Sequence, residues 1–167
     1  MRILITGGAG CLGSNLMEHW LPKGHEIFVI DNFATGKREV VPNVNGLTVK
    51  EGSIADEVLV NNCFSNFKPE VVVHSAASYK DPEDWEEDSK TNVLGSIHVA
   101  RAAKINGVCR LINFQTALCY GRPQQLPIPL THPTAPFTSY GITKTAGEQF
   151  MLLSGIPTLT LRIANVT

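Results

Sequence analysis

Residues 3–16 read Ile-Leu-Ile-Thr-Gly-Gly-Ala-Gly-Cys-Leu-Gly-Ser-Asn-Leu. A short apolar run breaks at three spaced glycines, Gly7, Gly10 and Gly13, and then resumes with helical spacing. That order dictates a strand, a tight turn and a helix N-terminus. The first backbone N–H groups of a helix have no intrahelical partners and carry partial positive charge, so the turn is a seat for a diphosphate. Asp31 closes the next strand-like run, eighteen residues after Gly13. In a dinucleotide site that position meets the adenosine ribose. A carboxylate there accepts from the 2′-hydroxyl and repels a 2′-phosphate, which favours NAD over NADP. Lys37 and Arg38 behind it read as solvated surface charges.

Strand-like and helix-like segments alternate along the rest of the chain. Arg2–Thr6, His25–Asp31, Leu47–Glu51, Val71–Ser75, Arg110–Thr116 and Thr158–Ala164 read as strands. Cys11–Leu21, Asp56–Phe67, Asp84–Asn106 and Thr138–Leu153 read as helices. Val71-Val72-Val73 is typical of a strand buried on both faces. Prolines at 123, 127, 129, 133 and 136 make Pro123–Pro136 a loop. Alternation at this spacing predicts an α/β fold, a doubly wound parallel sheet of Rossmann type with helices on both faces.

The 167 residues, 43% hydrophobic and 17% charged, suit one domain over residues 1–167. A net charge of −1 gives no electrostatic case for nucleic acid or an acidic membrane surface. No apolar run is long enough for a membrane helix, and Met1-Arg2 leads straight into a strand rather than a secretory signal. Cys11, Cys63, Cys109 and Cys119 form no C-x-x-C pair and read as reduced thiols, mostly packing residues, of a cytoplasmic protein. No histidine or cysteine spacing suggests a metal site. Asp81–Asp88 holds six acids in eight residues and reads as a solvated loop and helix start. Lys80 before it reads as a surface lysine, with a substrate phosphate or carboxylate contact as the alternative.

Tyr140 and Lys144 are four apart in a predicted helix and share one face. A free phenol titrates near 10, so bringing it to about 7 takes roughly 4 kcal/mol of differential stabilisation. A nearby ammonium and an oxidised nicotinamide both favour the phenolate. Such a tyrosine can take a proton from a sugar hydroxyl while hydride leaves the same carbon for NAD. Thr116 ends the fifth predicted strand, on the carboxyl edge where ligands of open α/β sheets bind, and its hydroxyl can orient the substrate oxygen.

Together these segments resemble the extended short-chain dehydrogenase/reductase family, specifically its NAD-dependent nucleotide-sugar epimerases of the UDP-glucose 4-epimerase kind. The shared pieces are Thr6-Gly-Gly-Ala-Gly-Cys-Leu-Gly13, Asp31-Asn32 with Thr35-Gly36, His74-Ser-Ala-Ala77, Asn92-Val-x-Gly95, Thr116-Ala-Leu-Cys-Tyr-Gly121, Tyr140-Gly-Ile-Thr-Lys144 and Leu161-Arg-Ile-Ala-Asn165. The likeness is especially close to bacterial epimerases of surface-polysaccharide clusters that also carry Asn113-Phe-Gln-Thr-Ala-Leu-Cys-Tyr-Gly121.

The resemblance implies roles. Backbone at Cys11 and Leu12 faces the pyrophosphate, and Asn32, Thr35 and Gly36 join Asp31 around the cofactor. Ser53 and Ile54 lie along the adenine, where many relatives carry Asp at the Ser53 position. Ser75, Ala76 and Ala77 line the cofactor, and Asn92 reaches it from the long helix while bracing the strand end. Thr116, Tyr140 and Lys144 are catalytic, the last two also touching the cofactor. Thr116 and Asn165 touch the sugar nucleotide. Gln115 stands where relatives often have serine, which implies an altered substrate contact.

Within the family a 4,6-dehydratase resembles Thr-Asp-Glu at the strand end, and Thr116-Ala117-Leu118 has no carboxylate. The expected reaction is therefore C4 epimerisation of a UDP-sugar through a 4-keto intermediate, with a reductase or dehydrogenase as the alternative within the family. Family members continue through a last strand and a smaller substrate domain, so the resemblance implies a cofactor half without its substrate half. An exposed apolar edge is then expected beside the sixth strand, and a non-catalytic NAD-binding module is the alternative of another class. The family also implies a homodimer through helices Asp84–Asn106 and Thr138–Leu153.

Overall fold

The computed structural model describes residues 1–164, so Asn165 lies outside the described residues. The opening apolar run forms β1 (Arg2–Thr6), with Ile3, Leu4 and Ile5 all buried. It lies between β2 (Glu26–Asp31) and β4 (Val71–His74), both parallel to it. β3 (Leu47–Glu51) pairs outside β2, and β5 (Arg110–Thr116) and β6 (Thr158–Ile163) extend the other side. The order is β3-β2-β1-β4-β5-β6, and every pairing is parallel. The strand order reverses at β1 and β4. That leaves a crevice beyond the carboxyl ends of the strands, which is where open α/β sheets bind ligands.

Two apolar layers follow from the two-residue period of the strands. Ile3, Ile5, Ile27, Val29 and Val73 pack with Met17 of α1 (Cys11–Trp20) on one face. Leu4, Ile30, Val72 and Leu111 pack on the other with Val60 and Phe64 of α2 (Glu57–Phe67), Val99, Ala102 and Ala103 of α4 (Ser96–Ile105), and Met151 of α5 (Ser139–Leu153). The small alanines let α4 lie close to the sheet. On β6, Leu159 and Leu161 are 46% and 38% exposed, on the face turned away from α5.

The strands fall where the sequence places them, with ends moved by one residue at His25, Ser75 and Ala164. The long helix expected over Asp84–Asn106 is instead three pieces: α3 (Trp85–Asp88), a π turn (Ser89–Gly95) and α4. A π turn carries one residue more than an α turn, and such bulges concentrate at functional sites. Close packing accompanies it. A Cβ at Gly147 of α5 would lie 2.4 Å from the Asn92 carbonyl oxygen and 2.7 Å from the Ser96 hydroxyl, so only glycine lets the two helices meet here. Apolar periodicity tracks 3.6 residues per turn and does not register a single inserted residue. The reading of the cysteines also needs correction. Cys63 and Cys119 are buried, whereas Cys11 and Cys109 are exposed, so packing accounts for half of them.

Candidate functional site

The glycine turn has the close backbone approach its spacing implies. Gly7 sits at φ +71°, and a Cβ there would lie 2.6 Å from the Ala76 backbone nitrogen. A Cβ on Gly13 would lie 2.5 Å from Gly8 Cα and 2.6 Å from the Gly7 carbonyl oxygen. Any side chain at either position would push the turn away from β4 or from the start of α1. Asp31 fastens the same turn. Its Oδ2 accepts from the Ala9 N–H at 2.8 Å and its Oδ1 from the Phe33 N–H at 2.8 Å. Each carboxylate oxygen has a second lone pair, so Asp31 can hold the turn and still accept from a ribose hydroxyl.

One cleft of about 1080 Å³ runs from this turn across the carboxyl ends of the strands. Gly7, Gly10, Cys11, Leu12 and Gly13 form one end, with Asp31, Asn32, Thr35, Gly36, Ser53 and Ile54 on one flank. Ser75, Ala76 and Ala77 form the floor, and Thr116, Tyr140 and Lys144 stand at the far end. The volume exceeds the roughly 300–1,000 Å³ of ordinary small-ligand pockets, which suits a dinucleotide with room beyond it. Ser53 does not turn its hydroxyl wholly toward the cleft, because Oγ accepts from the Ala55 N–H at 3.1 Å.

Among the described residues, Asn92 is the predicted site residue that does not line the cleft. It is buried, and its side chain donates to the Ser78 carbonyl at 2.9 Å and to Thr143 Oγ1 at 3.1 Å while accepting from the Ser78 N–H at 2.8 Å. The side-chain hydrogen bonds go to the loop after β4 and to α5. The bracing bonds reach the loop after β4 rather than the strand end itself: the π turn presents the amide inward, where it fixes the segment that carries Tyr79 and Lys80 past the cleft. Both of these residues are exposed and line it.

A buried polar chain joins this brace to the glycine turn. Ser96 Oγ donates to the Asn92 carbonyl at 2.6 Å and therefore accepts from His74 Nε2–H at 3.0 Å. His74 Nδ1 then accepts from the Thr6 hydroxyl at 2.8 Å, and Thr6 Oγ1 accepts from the Ala76 N–H at 3.3 Å. The imidazole is neutral, because burial first and the Lys144 charge second press its pKa down to about 3. The unfolded chain takes up this proton near pH 6.5 and the folded one only near 3, so folding is opposed as pH falls through that window. Urea unfolding is expected to show a loss of roughly 2 kcal/mol from this group between about pH 7 and pH 5. The pH slope should flatten in His74→Asn; equal slopes in the two proteins would rule this account out.

Tyr140 and Lys144 occupy successive turns of α5, which Thr138 caps by accepting from the Gly141 N–H at 3.1 Å. Their charge states run against the simple expectation. Burial pushes the Tyr140 phenol up to about 12, and the nearby Tyr79 and Asp88 push the same way. Burial pushes the Lys144 ammonium down to about 8, against the pull of Glu148. The protein surroundings thus hold a protonated phenol one helical turn from a lysine whose ammonium is still mostly charged at neutral pH. Thr116 Oγ1 accepts from the Leu118 N–H at 3.2 Å, which leaves its proton free to point at a ligand oxygen.

Three further residues at this end escaped the sequence. Tyr79 stands edge-on to Tyr140 with ring centroids 6.2 Å apart. Asp88 belongs to the acidic run read as solvated, yet it is 1% exposed and accepts from Ser139 Oγ at 2.7 Å. Glu148 is buried against Gln115 and Arg162. For Glu148 a signal existed, since it falls one turn beyond Lys144 on the inward face of the helix. For Asp88 none did, because it closes α3 and meets its partner Ser139 only at the start of α5, far along the chain.

A family model described as the NAD dependent epimerase/dehydratase family matches residues 3–167. The chain is 35% identical over 176 residues to the UDP-glucose 4-epimerase of Corynebacterium glutamicum, covering 99% of this chain and 51% of that protein. The solved structure of the Bordetella bronchiseptica enzyme WbmG in complex with NAD and UDP is 70% identical, with a TM-score of 0.98 over 100% of this chain and 54% of that one. A Thermotoga maritima UDP-glucose 4-epimerase with UDP-glucose is 32% identical, with a TM-score of 0.91 over 97% of this chain and 55% of that one. The chain spans about half the length of these relatives.

Proposed function

Because the chain belongs to the NAD dependent epimerase/dehydratase family, we propose that it is the cofactor-binding and acid–base part of an NAD-dependent nucleotide-sugar epimerase. The observation that carries this reading is the single cleft with the glycine turn and Asp31 at one end and Thr116, Tyr140 and Lys144 at the other. The residues fit NAD: the turn offers free helix N–H groups to a pyrophosphate, Asp31 offers a carboxylate to an unmodified ribose, and the small floor residues admit a flat ring. Bound NAD supplies a hydride acceptor that can return the hydride, and a cationic ring while oxidised.

The chain's own residues do the rest. The Thr116 hydroxyl holds the sugar oxygen at the end of β5. Tyr140 removes the proton from that oxygen as the C4 hydride departs, and restores it when the hydride returns to the other face of the 4-keto sugar. Lys144 opposes the burial penalty on the phenolate. No carboxylate adjoins Thr116 in sequence to remove a proton at C5, which favours epimerisation over dehydration. A UDP-sugar substrate, a role in surface-polysaccharide synthesis, a homodimer and a cytoplasmic location complete the proposal. The relatives' NAD, UDP and UDP-glucose complexes support the ligand classes.

The test is to purify the whole protein, assay it for bound NAD, and add UDP-sugars while following the near-ultraviolet absorbance of reduced nicotinamide. The expected result is retained NAD and interconversion of a C4 pair with a transient rise in absorbance. Tight NAD with no sugar response in the whole protein would instead favour a non-catalytic binding module.

A further inference from the structure

Glu148 has no part in the reaction just described, yet it is 4% exposed and lies one helical turn beyond Lys144, itself 5% exposed. A carboxylate so deeply buried needs partners. Gln115, on β5 immediately before Thr116, donates through Nε2 both to Glu148 Oε2 at 2.8 Å and to the Lys144 carbonyl at 3.0 Å. Its Oε1 accepts from the Thr116 N–H at 2.8 Å. One amide therefore ties the turn carrying the lysine to the strand end carrying the threonine. From β6, whose Arg162 lies opposite Gln115 in the register, Nη2 pairs with Glu148 Oε1 at 3.0 Å and the guanidinium stacks over the Tyr120 ring at 5.1 Å.

We infer that Glu148, clamped between Gln115 and Arg162, is the positioning residue that supplies the counter-charge to the buried Lys144 ammonium. The inference rests on the reading of Lys144 as the catalytic cation. The groups around that ammonium are few. From α5, Tyr140 and Glu148 each stand one turn from it, and neutral His74 of β4 feels its charge; Arg162 of β6 meets Glu148 and Tyr120 of the turn after β5, and Tyr79 and Asp88 act on Tyr140. Lys90, Arg101 and Lys104 of the packed helical layer are exposed. Among these groups Glu148 is the acid that raises the lysine's proton affinity. Arg162 is the cation paired directly with that carboxylate.

The test is the titration of Lys144 in the whole chain by NMR of isotope-labelled lysine side chains, assigned from the signal lost in Lys144→Met. Glu148→Gln keeps the shape and removes the charge, so the midpoint is expected to fall by about one pH unit or more, a tenfold change in proton affinity. Arg162→Met unmasks Glu148, so the midpoint is expected to rise. A merely structural clamp would loosen in either variant, admit water and move both midpoints up toward an ordinary lysine. A midpoint that stays or rises in Glu148→Gln therefore overturns the inference. Should that variant fail to fold, Arg162→Met decides, and a midpoint that does not rise overturns it. None of these readings uses turnover. Failure of the wild-type protein to reduce NAD with any UDP-sugar would sink the enzymatic reading alone.

Discussion

Tyr140→Phe is expected to slow sugar-driven NAD reduction by about 10²–10⁴-fold, the usual contribution of one general acid–base group, while NAD stays bound. The ring remains, so packing against Tyr79 is kept; what is lost is the atom that moves the proton. The cofactor loses at most one hydrogen bond, about 0.5–1.5 kcal/mol or around tenfold in affinity. The surroundings make the demand on this residue larger than its sequence position suggests. Starting from about 12 rather than 10, forming the phenolate near neutral pH takes roughly 7 kcal/mol. Lys144 and the positive nicotinamide must together supply it, so the oxidised cofactor should lower the tyrosine midpoint and the reduced one should not. The check is single-turnover absorbance in wild-type and variant proteins loaded with NAD. A variant retaining more than about a tenth of the wild-type rate would remove Tyr140 from the proton path.

The parts of this molecule that sequence reveals are those set by local backbone chemistry. Three spaced glycines, a strand-ending aspartate and a tyrosine–lysine pair each carry their geometry in their own spacing, and the alternation of elements implies the parallel sheet. The parts it hides are long-range. Nothing in Ser89–Gly95 announces a π turn, because the turn is bound up with Gly147, more than fifty residues later, meeting the Asn92 carbonyl. The partner that Asn92 braces, Ser78 of the loop after β4, is set by the same packing. Gln115 reads only as a replacement of serine that alters the substrate contact beside Thr116. Its amide also binds α5 and Thr116's own backbone, partners that the spacing does not give. The Lys144 and Tyr140 charge states depend on burial, which spacing does not give.

Lys144→Met is expected to raise stability and abolish function together. The ammonium titrates near 8 in the folded protein against an ordinary value of 10.5, so burial of the charge costs roughly 3 kcal/mol wherever both states are protonated, below about pH 8. Between about pH 8 and pH 10.5 the unfolded chain holds the proton and the folded chain has released it, so wild-type stability climbs with pH across that window. Above it the cost is gone. Methionine fills nearly the same space without a charge. Urea unfolding at pH 7 should therefore find Lys144→Met more stable by up to roughly 3 kcal/mol, less whatever Glu148 loses with its counter-ion. That advantage should shrink steadily as the pH is raised through the window. Turnover of the same variant should fall by about 10²-fold or more, since the phenolate then forms without its fixed cation. A variant less stable than wild type at neutral pH, or an advantage indifferent to pH, would mean that the lysine is held neutral or well solvated. The folding energy spent at this position would then have no catalytic purpose.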